Sequence, residues 1–198
     1  MQHLDSGLAK LGASLARAYH AARRNTRAGS RRNIAAHYDL GNEFFSRMLD
    51  PTLSYSSAVF PTPESTLEEA SRHKLDLLLQ ALRLRADDRL LEIGTGWGGL
   101  ALHAAEAYGA RVTTTTISEQ QYRGARARVE AQGLGSRIEL RKDDYRDLSG
   151  RYDKLVSVEM IEAVGAEYYA TFFAKCASLL VPGGRMALQA ITIVDQAY

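Results

Sequence analysis

Apolar residues along this chain follow two periods, and the change from one to the other divides it. Up to about residue 85 the spacing is helical. Leu4, Leu8, Leu11, Leu15 and Tyr19 mark a first stripe. Phe44, Phe45, Met48 and Leu49 mark a second, in a short helix that follows a break at Leu40-Gly41-Asn42 and is stopped by Pro51; all four are expected to form a buried face. A third helix opens at the capping box Thr66-x-x-Glu69, carries Leu67, Ala70, Leu75, Leu78, Leu79 and Leu82 along one side, and ends near Arg85. From residue 86 onward short apolar runs alternate with helical stretches. The pattern predicts a strand up to Ile93, a helix over 100–107 closed by Gly109, and a strand over 111–116. A helix over 119–132, strands over 137–141 and 152–158, a helix over 167–180 and a strand over 185–193 follow. Alternation on this scale predicts an α/β fold: a parallel sheet with right-handed crossovers and a site at the carboxyl ends of the strands.

The first strand runs into Leu90-Leu91-Glu92-Ile93-Gly94-Thr95-Gly96-Trp97-Gly98-Gly99-Leu100, a strand, a glycine turn and a helix start. Such a turn lets a ligand lie against bare backbone, facing the unpaired N–H groups of the helix. Gly94, Gly96 and Gly99 satisfy the dinucleotide pattern G-x-G-x-x-G, and Gly94, Gly96 and Gly98 the looser E-x-G-x-G-x-G pattern of S-adenosylmethionine (SAM) enzymes. A dinucleotide site needs an acidic residue about 20 positions on. That region here reads Val112-Thr113-Thr114-Thr115-Thr116-Ile117, with no carboxylate before Glu119, so the SAM reading gains. Glu92, at the end of a buried strand, needs a positive partner; the α-amino group and sulfonium of SAM would supply one, and an arginine of the chain is the plain alternative.

Composition adds one asymmetry. The 198 residues are 45% apolar, enough for one substantial core. Residues 1–32 hold seven Lys/Arg against Asp5, a net +6, which leaves −4 for the remainder. The basic, amphipathic arm fits a docked surface helix, a contact with an anionic membrane, or a nucleic-acid arm; no aromatic interleaving supports the last, and no nucleic-acid partner is expected. A lone Cys176 excludes a disulfide framework and suits a reducing compartment. Without a signal peptide or an 18-residue apolar run, the chain is expected to be cytoplasmic.

Each strand end offers a wall for the site. Ser118-Glu119-Gln120-Gln121 reads either as a helix cap or as the place where the Gln121 amide holds a ribose. Asp143, Asp144 and Tyr145 follow the third strand, where a carboxylate would reach an adenine amino group. Glu159 and Glu162 lie in an otherwise apolar stretch, and at least one is expected to be functional. Gln189, among apolar residues of the fifth strand, is expected to bond internally.

Taken together, Tyr38-Asp39-Leu40-Gly41-Asn42, Tyr55-Ser56-Ser57-Ala58, Glu92 to Gly99, Thr116-Ile117-Ser118 and Ser157-Val158-Glu159-Met160-Ile161-Glu162 resemble the cyclopropane-fatty-acyl-phospholipid synthase and mycolic acid cyclopropane synthase family. The resemblance runs from about Asn33 to Ile193. It implies a Rossmann-like class I SAM-dependent methyltransferase sheet with N-terminal helices, truncated after the fifth strand, because that fold usually has seven. The regions are then a basic arm (1–32), a helical cap (33–85) and a SAM-binding core (86–198). It implies methyl transfer from SAM to the cis double bond of an unsaturated phospholipid acyl chain. Tyr55, Ser56, Glu92, Gly94, Gly96, Trp97, Gly98, Thr116, Ser118, Gln121, Asp144 and Tyr145 would hold SAM. Glu162 would belong to a group, with Ser57 and Gln189, that cradles a bicarbonate ion serving as base. Tyr38, Tyr55 and Trp97 would offer a carbocation cation–π contacts of about 0.5–2 kcal/mol each. No metal ligand set is expected.

The chain departs from the ring-forming pattern in having Ser57 for cysteine, Ala163 for histidine and Gln189 for histidine. Serine and glutamine still donate hydrogen bonds to an anion, but neither takes up a proton as histidine does. A methyl- or methylene-branched product is therefore as compatible as a cyclopropane. The expected location is the inner membrane face, with transient contact to anionic lipid; a homodimer is among the assemblies this reading admits. The 198 residues by themselves are expected to turn over weakly or not at all. A small-molecule C- or N-methyltransferase and a non-catalytic SAM- or lipid-binding module are the competing readings.

Overall fold

The computed structural model describes Gly29 and residues 41–193. Apart from Gly29, the basic arm lies outside the described residues, as does Tyr38. From Gly41 the order is helix α1 (Gly41–Met48), α2 (Leu67–Ala81), strand β1 (Arg89–Ile93), α3 (Gly99–Ala107), β2 (Arg111–Thr115), α4 (Glu119–Ala131), β3 (Ile138–Arg141), β4 (Tyr152–Val158), α5 (Tyr169–Leu179) and β5 (Leu180–Gln189). Single 3₁₀ turns at Tyr145–Asp147, Ile161–Ala163 and Ala166–Tyr168 complete the connections.

The five strands form one parallel sheet in the order β3-β2-β1-β4-β5. β1 sits at the centre because its sequence is apolar on both sides of the pleat, and a strand covered on both faces reads as a continuous hydrophobic run. Leu90 and Leu91 are each fully buried, on opposite faces. Leu90 joins Leu79 and Leu82 of α2, Leu100 and Ala104 of α3 and Val129 of α4. Leu91 joins Leu155 of β4 with Phe172, Cys176 and Leu179 of α5. The chain leaves β1 toward β2 on one side and returns as β4 on the other, so strand order reverses at the carboxyl end of β1. Open α/β sheets part their loops at such a switch point and leave a crevice.

The capping box at Thr66 forms as its spacing predicts: the Thr66 side chain accepts from Glu69 N, and the Glu69 carboxylate accepts from Thr66 N at 2.8 Å. Three expectations are corrected. Of the four apolar residues of the second stripe only Phe45 is buried, with Phe44 and Met48 nearly half exposed. A helix of two turns meets its neighbours along one line, and here that line is Phe45 against Trp97 (4.6 Å between centroids) and Tyr55 (5.3 Å). Helix α2 stops at Ala81, before Arg85, because Leu82 and Leu84 both turn into the core and Arg83 takes a left-handed φ of 52° between them. Strand β5 starts at Leu180, directly after α5, rather than at Arg185. Leu180 pairs with Tyr152 and Arg185 with Lys154, so residues 181–184, with Gly183 at φ 78°, bulge out of the ladder. Pairing ends where Gln189 meets Val158, the last residue of β4.

Candidate active site

A cleft of about 950 Å³ opens at the carboxyl ends of β1, β2 and β4. Its floor is the glycine turn. Gly94, Gly96 and Gly98 have φ of 104°, 53° and 86°, a left-handed run that side chains rarely adopt. The N–H groups of Gly94 and Thr95 both donate to Thr115 O, which ties the turn to β2. A Cβ at Gly96 would project into open space, whereas one at Gly98 would lie 3.3 Å from the Cβ of Ala125. Gly96 therefore faces the open cleft, Gly94 lines it with Met160 packed close by, and Gly98 serves the packing of α4.

Trp97 points the other way. Its ring is buried, its Nε1 donates to Asn42 Oδ1 at 2.8 Å, and it lies against Phe45, so close to α4 that a Cβ on Gly124 would come within 2.8 Å. It is off the cleft wall, so the expected cofactor contact and cation–π role of its ring have no geometric basis. Ser118 is likewise off the wall: it caps α4, its Oγ accepting from Gln121 N, and this explains it fully. Thr116 and Gln121 do line the cleft, with Thr116 Oγ1 donating to Gln121 Oε1 at 2.8 Å and so holding the amide in place.

Under the turn lies Glu92, 3% exposed. Thr114 Oγ1 donates to its Oε2 at 2.6 Å, and Thr95 Oγ1 bonds Thr114 Oγ1 in turn. Burial pushes the Glu92 carboxyl up to about 8, opposed by the Thr114 hydrogen bond and by the charge of Lys74. No arginine pairs with it among the described residues. Lys74 projects from α2 and is 3% exposed; its Nζ donates to Ser56 Oγ at 2.6 Å. Burial lowers its pKa, and the charges of Glu159, Glu92 and Asp50 oppose that fall. Lys74 thus stands between two acids that the cleft shares.

Asp144 and Tyr145 form part of the β3 side. Asp144 is buried but is not a free acceptor: Arg146 Nε reaches Oδ1 at 2.8 Å and Arg146 Nη2 reaches Oδ2 at 2.6 Å. Arg146 also lies over the Tyr145 ring, 5.5 Å from its centroid, and itself lines the cleft. On the opposite side the loop after α1 contributes Tyr55, Ser56 and Ser57. Arg128 pins this loop to the turn, donating to Pro51 O, Thr52 O and Trp97 O at 2.8–3.0 Å. Ser57 N and Oγ both donate to Glu159 Oε1, at 2.9 and 2.8 Å. Gln189 Nε2 donates to the same oxygen at 2.8 Å and to Ser57 Oγ at 3.0 Å, so Gln189 stands behind the wall rather than on it. Glu162 lines the cleft but lies outside this cluster: it is exposed, and its Oε1 accepts from Ile191 N at 2.6 Å. Glu159 holds a φ of 47°, a conformation that costs a non-glycine residue about 1–3 kcal/mol.

The sequence model of the mycolic acid cyclopropane synthetase family matches residues 25–198. The chain belongs to this family. It is 48% identical over 176 residues to a tuberculostearic acid methyltransferase of Mycobacterium tuberculosis, covering 85% of this chain and 41% of that protein. It is 44% identical over 155 residues to the cyclopropane-fatty-acyl-phospholipid synthase of Escherichia coli, covering 78% and 39%. Among solved structures, a mycolic acid cyclopropane synthase complexed with SAH and CTAB superposes with a TM-score of 0.77 at 34% identity, over 80% of this chain and 55% of that one. The chain therefore spans about two fifths of the length of these curated relatives.

Two residues that sequence reasoning passed over, and a third that it left undecided, shape the cleft of this family member. Lys74 was legible in principle, since it occupies the buried side of α2 beside Ala70 and Leu75, where a lysine needs a reason. Arg146 has no signal in the sequence beyond following two acids. Glu159 was one of two acids weighed, and nothing in the local pattern separates it from Glu162.

Proposed function

We propose that this chain forms the cofactor-binding half of a SAM-dependent methyltransferase that adds a one-carbon unit to the cis double bond of an unsaturated phospholipid acyl chain. The product is a cyclopropane or a methyl- or methylene-branched chain. The observation that carries this reading is a single cleft in which the bare glycine turn and the buried Glu92 face an apolar wall bearing two further carboxylates, Glu159 and Glu162. The cradle fits the cofactor. Gly96 leaves room for an adenosyl group to approach the backbone, Glu92 is a buried acid lacking a full counter-charge, and Gln121 presents a fixed amide. Tyr55, Ser56, Thr116 and Tyr145 line the same space.

SAM supplies an electrophilic methyl group on a sulfonium. The chain's own contribution is to exclude water from an alkene with Leu49, Leu53, Val158 and Ile191, to orient it, and to place negative charge where a cation develops. A lipid substrate also gives the basic N-terminal arm a use, as a transient contact with an anionic membrane surface at the inner face. No helix among the described residues is long and apolar enough to cross a membrane, and contact of this kind needs none.

Two measurements test the reading. Calorimetry with SAM should show binding. Mass analysis of lipids from cells making the uninterrupted gene product should show a gain of one CH₂ on monounsaturated chains. Heat with unchanged lipids would favour a small-molecule methyltransferase, and absence of heat a non-catalytic module.

A further inference from the structure

Three donors converge on one point in the cleft: Ser57 N, Ser57 Oγ and Gln189 Nε2, all 2.8–2.9 Å from Glu159 Oε1. Donors gathered this way form a cradle for an oxyanion. Ser57 and Gln189 are the positions that the family resemblance assigns to holding a free bicarbonate ion. In this chain an oxygen of the protein already fills the cradle. The other oxygen, Oε2, accepts no hydrogen bond from the described residues, and Glu159 lines the cleft. Its placement is held against backbone preference. The residue has φ 47°, where glycine would sit freely, and its N–H is clamped by Gln189 O at 2.9 Å. Lys74 acts on Glu159 as a nearby positive charge. An added anion would meet the carboxylates of both Glu159 and Glu162 on the same wall.

Resting on the function proposed above, we infer that the Glu159 carboxylate replaces the bound anion and is itself the proton acceptor. The alkene π pair forms the new C–C bond to the methyl carbon, the sulfur keeps the S–C pair, and positive charge passes to the other alkene carbon. Glu159 Oε2 then takes a proton. Taken from the methyl group, its C–H pair closes a three-membered ring; taken from the methyl-bearing carbon, the pair becomes a C=C bond beside the retained branch. The resulting carboxylic acid returns the proton to water. Ser57 and Gln189 act as positioning residues, holding Oε1 so that Oε2 faces the substrate.

The test combines ¹³C-bicarbonate line broadening, SAM calorimetry, and methylation of monounsaturated phospholipid vesicles in CO₂-depleted buffer with and without added bicarbonate. The wild-type chain should leave the bicarbonate signal sharp and, in the uninterrupted gene product, methylate equally well in both buffers. Glu159→Gln should retain the SAM heat and lose about a hundredfold or more in rate, with no recovery on adding bicarbonate. Glu159→Gly, which suits the local backbone and empties the cradle, should broaden the bicarbonate signal. Broadening by the wild type, a bicarbonate requirement in the wild type, full activity of Glu159→Gln, or a Glu159→Gly chain that leaves the signal sharp would each overturn the inference. Absence of wild-type SAM heat or of any lipid product would instead sink the methyltransferase reading, while the bicarbonate titration still reports on the cradle.

Discussion

The glycine crevice and the Glu159 cluster face each other across one cleft, yet they are assembled in opposite ways. The crevice is made from consecutive residues, Glu92 to Gly98, whose strand, turn and helix start are held mainly by β2 directly alongside. The cluster joins a loop after α1, the end of β4 and the end of β5, with Ser57 separated by 102 positions from Glu159 and by 132 from Gln189. In the crevice, glycines remove strain from left-handed backbone; in the cluster, a glutamate accepts strain in the same region of φ. A ligand surface made of bare backbone needs only the right local sequence. A polar constellation needs the whole sheet to be in register before its donors meet.

Gly96→Val should have the largest effect. It puts a branched side chain at φ 53° and into the space a ligand would use, so SAM affinity should fall more than a hundredfold by calorimetry, with about 1–2 kcal/mol lost from stability. Retention of SAM affinity would show that the crevice is only a structural junction. Next is Arg128→Met, which removes three hydrogen bonds to carbonyls of the 51–54 loop and the glycine turn. Because this arginine joins the two halves of the comparison, urea unfolding should show a loss of about 2–3 kcal/mol, and Ser57 should no longer be held on Glu159.

Glu92→Gln separates the two regions by pH. The folded-state pKa is raised from near 4.5 to about 8, so the folded chain binds the extra proton in that window. The associated stability is fully present below pH 4.5 and is lost as pH rises through about 8. Urea midpoints of the wild type should therefore fall across this range, and those of Glu92→Gln should fall less. Smallest is Ser57→Ala, which removes one hydroxyl from an exposed position. Stability should change by less than about 1 kcal/mol and SAM affinity not at all; a large loss of SAM affinity would show that the two regions are coupled.

Much of the crevice side was legible because it rests on local rules. The capping box at Thr66, the Gly94–Gly98 pattern and the alternation after residue 86 each reflect interactions between residues a few positions apart. The direction of Trp97 was not legible. Its neighbours in sequence are glycines that permit either orientation, and the choice was made by Asn42 and by the room Gly124 leaves on α4. The choice between Glu159 and Glu162 was equally closed to inspection, since both are single acids in one apolar run. It turned on which of them meets Ser57 and Gln189.

The sequence alone therefore determined a parallel α/β sheet, its glycine turn, and the family to which the chain's motifs point, because hydrophobic period, helix capping and left-handed glycines act over short stretches of chain. Tertiary structure decided the pairing of β5 with β4, the burial of Lys74 beside two acids, and the meeting of Ser57, Glu159 and Gln189. Those features depend on segments well separated in sequence, by as many as 132 positions for Ser57 and Gln189, arriving in register, and on burial that gives each charged group its partners only after the chain has folded.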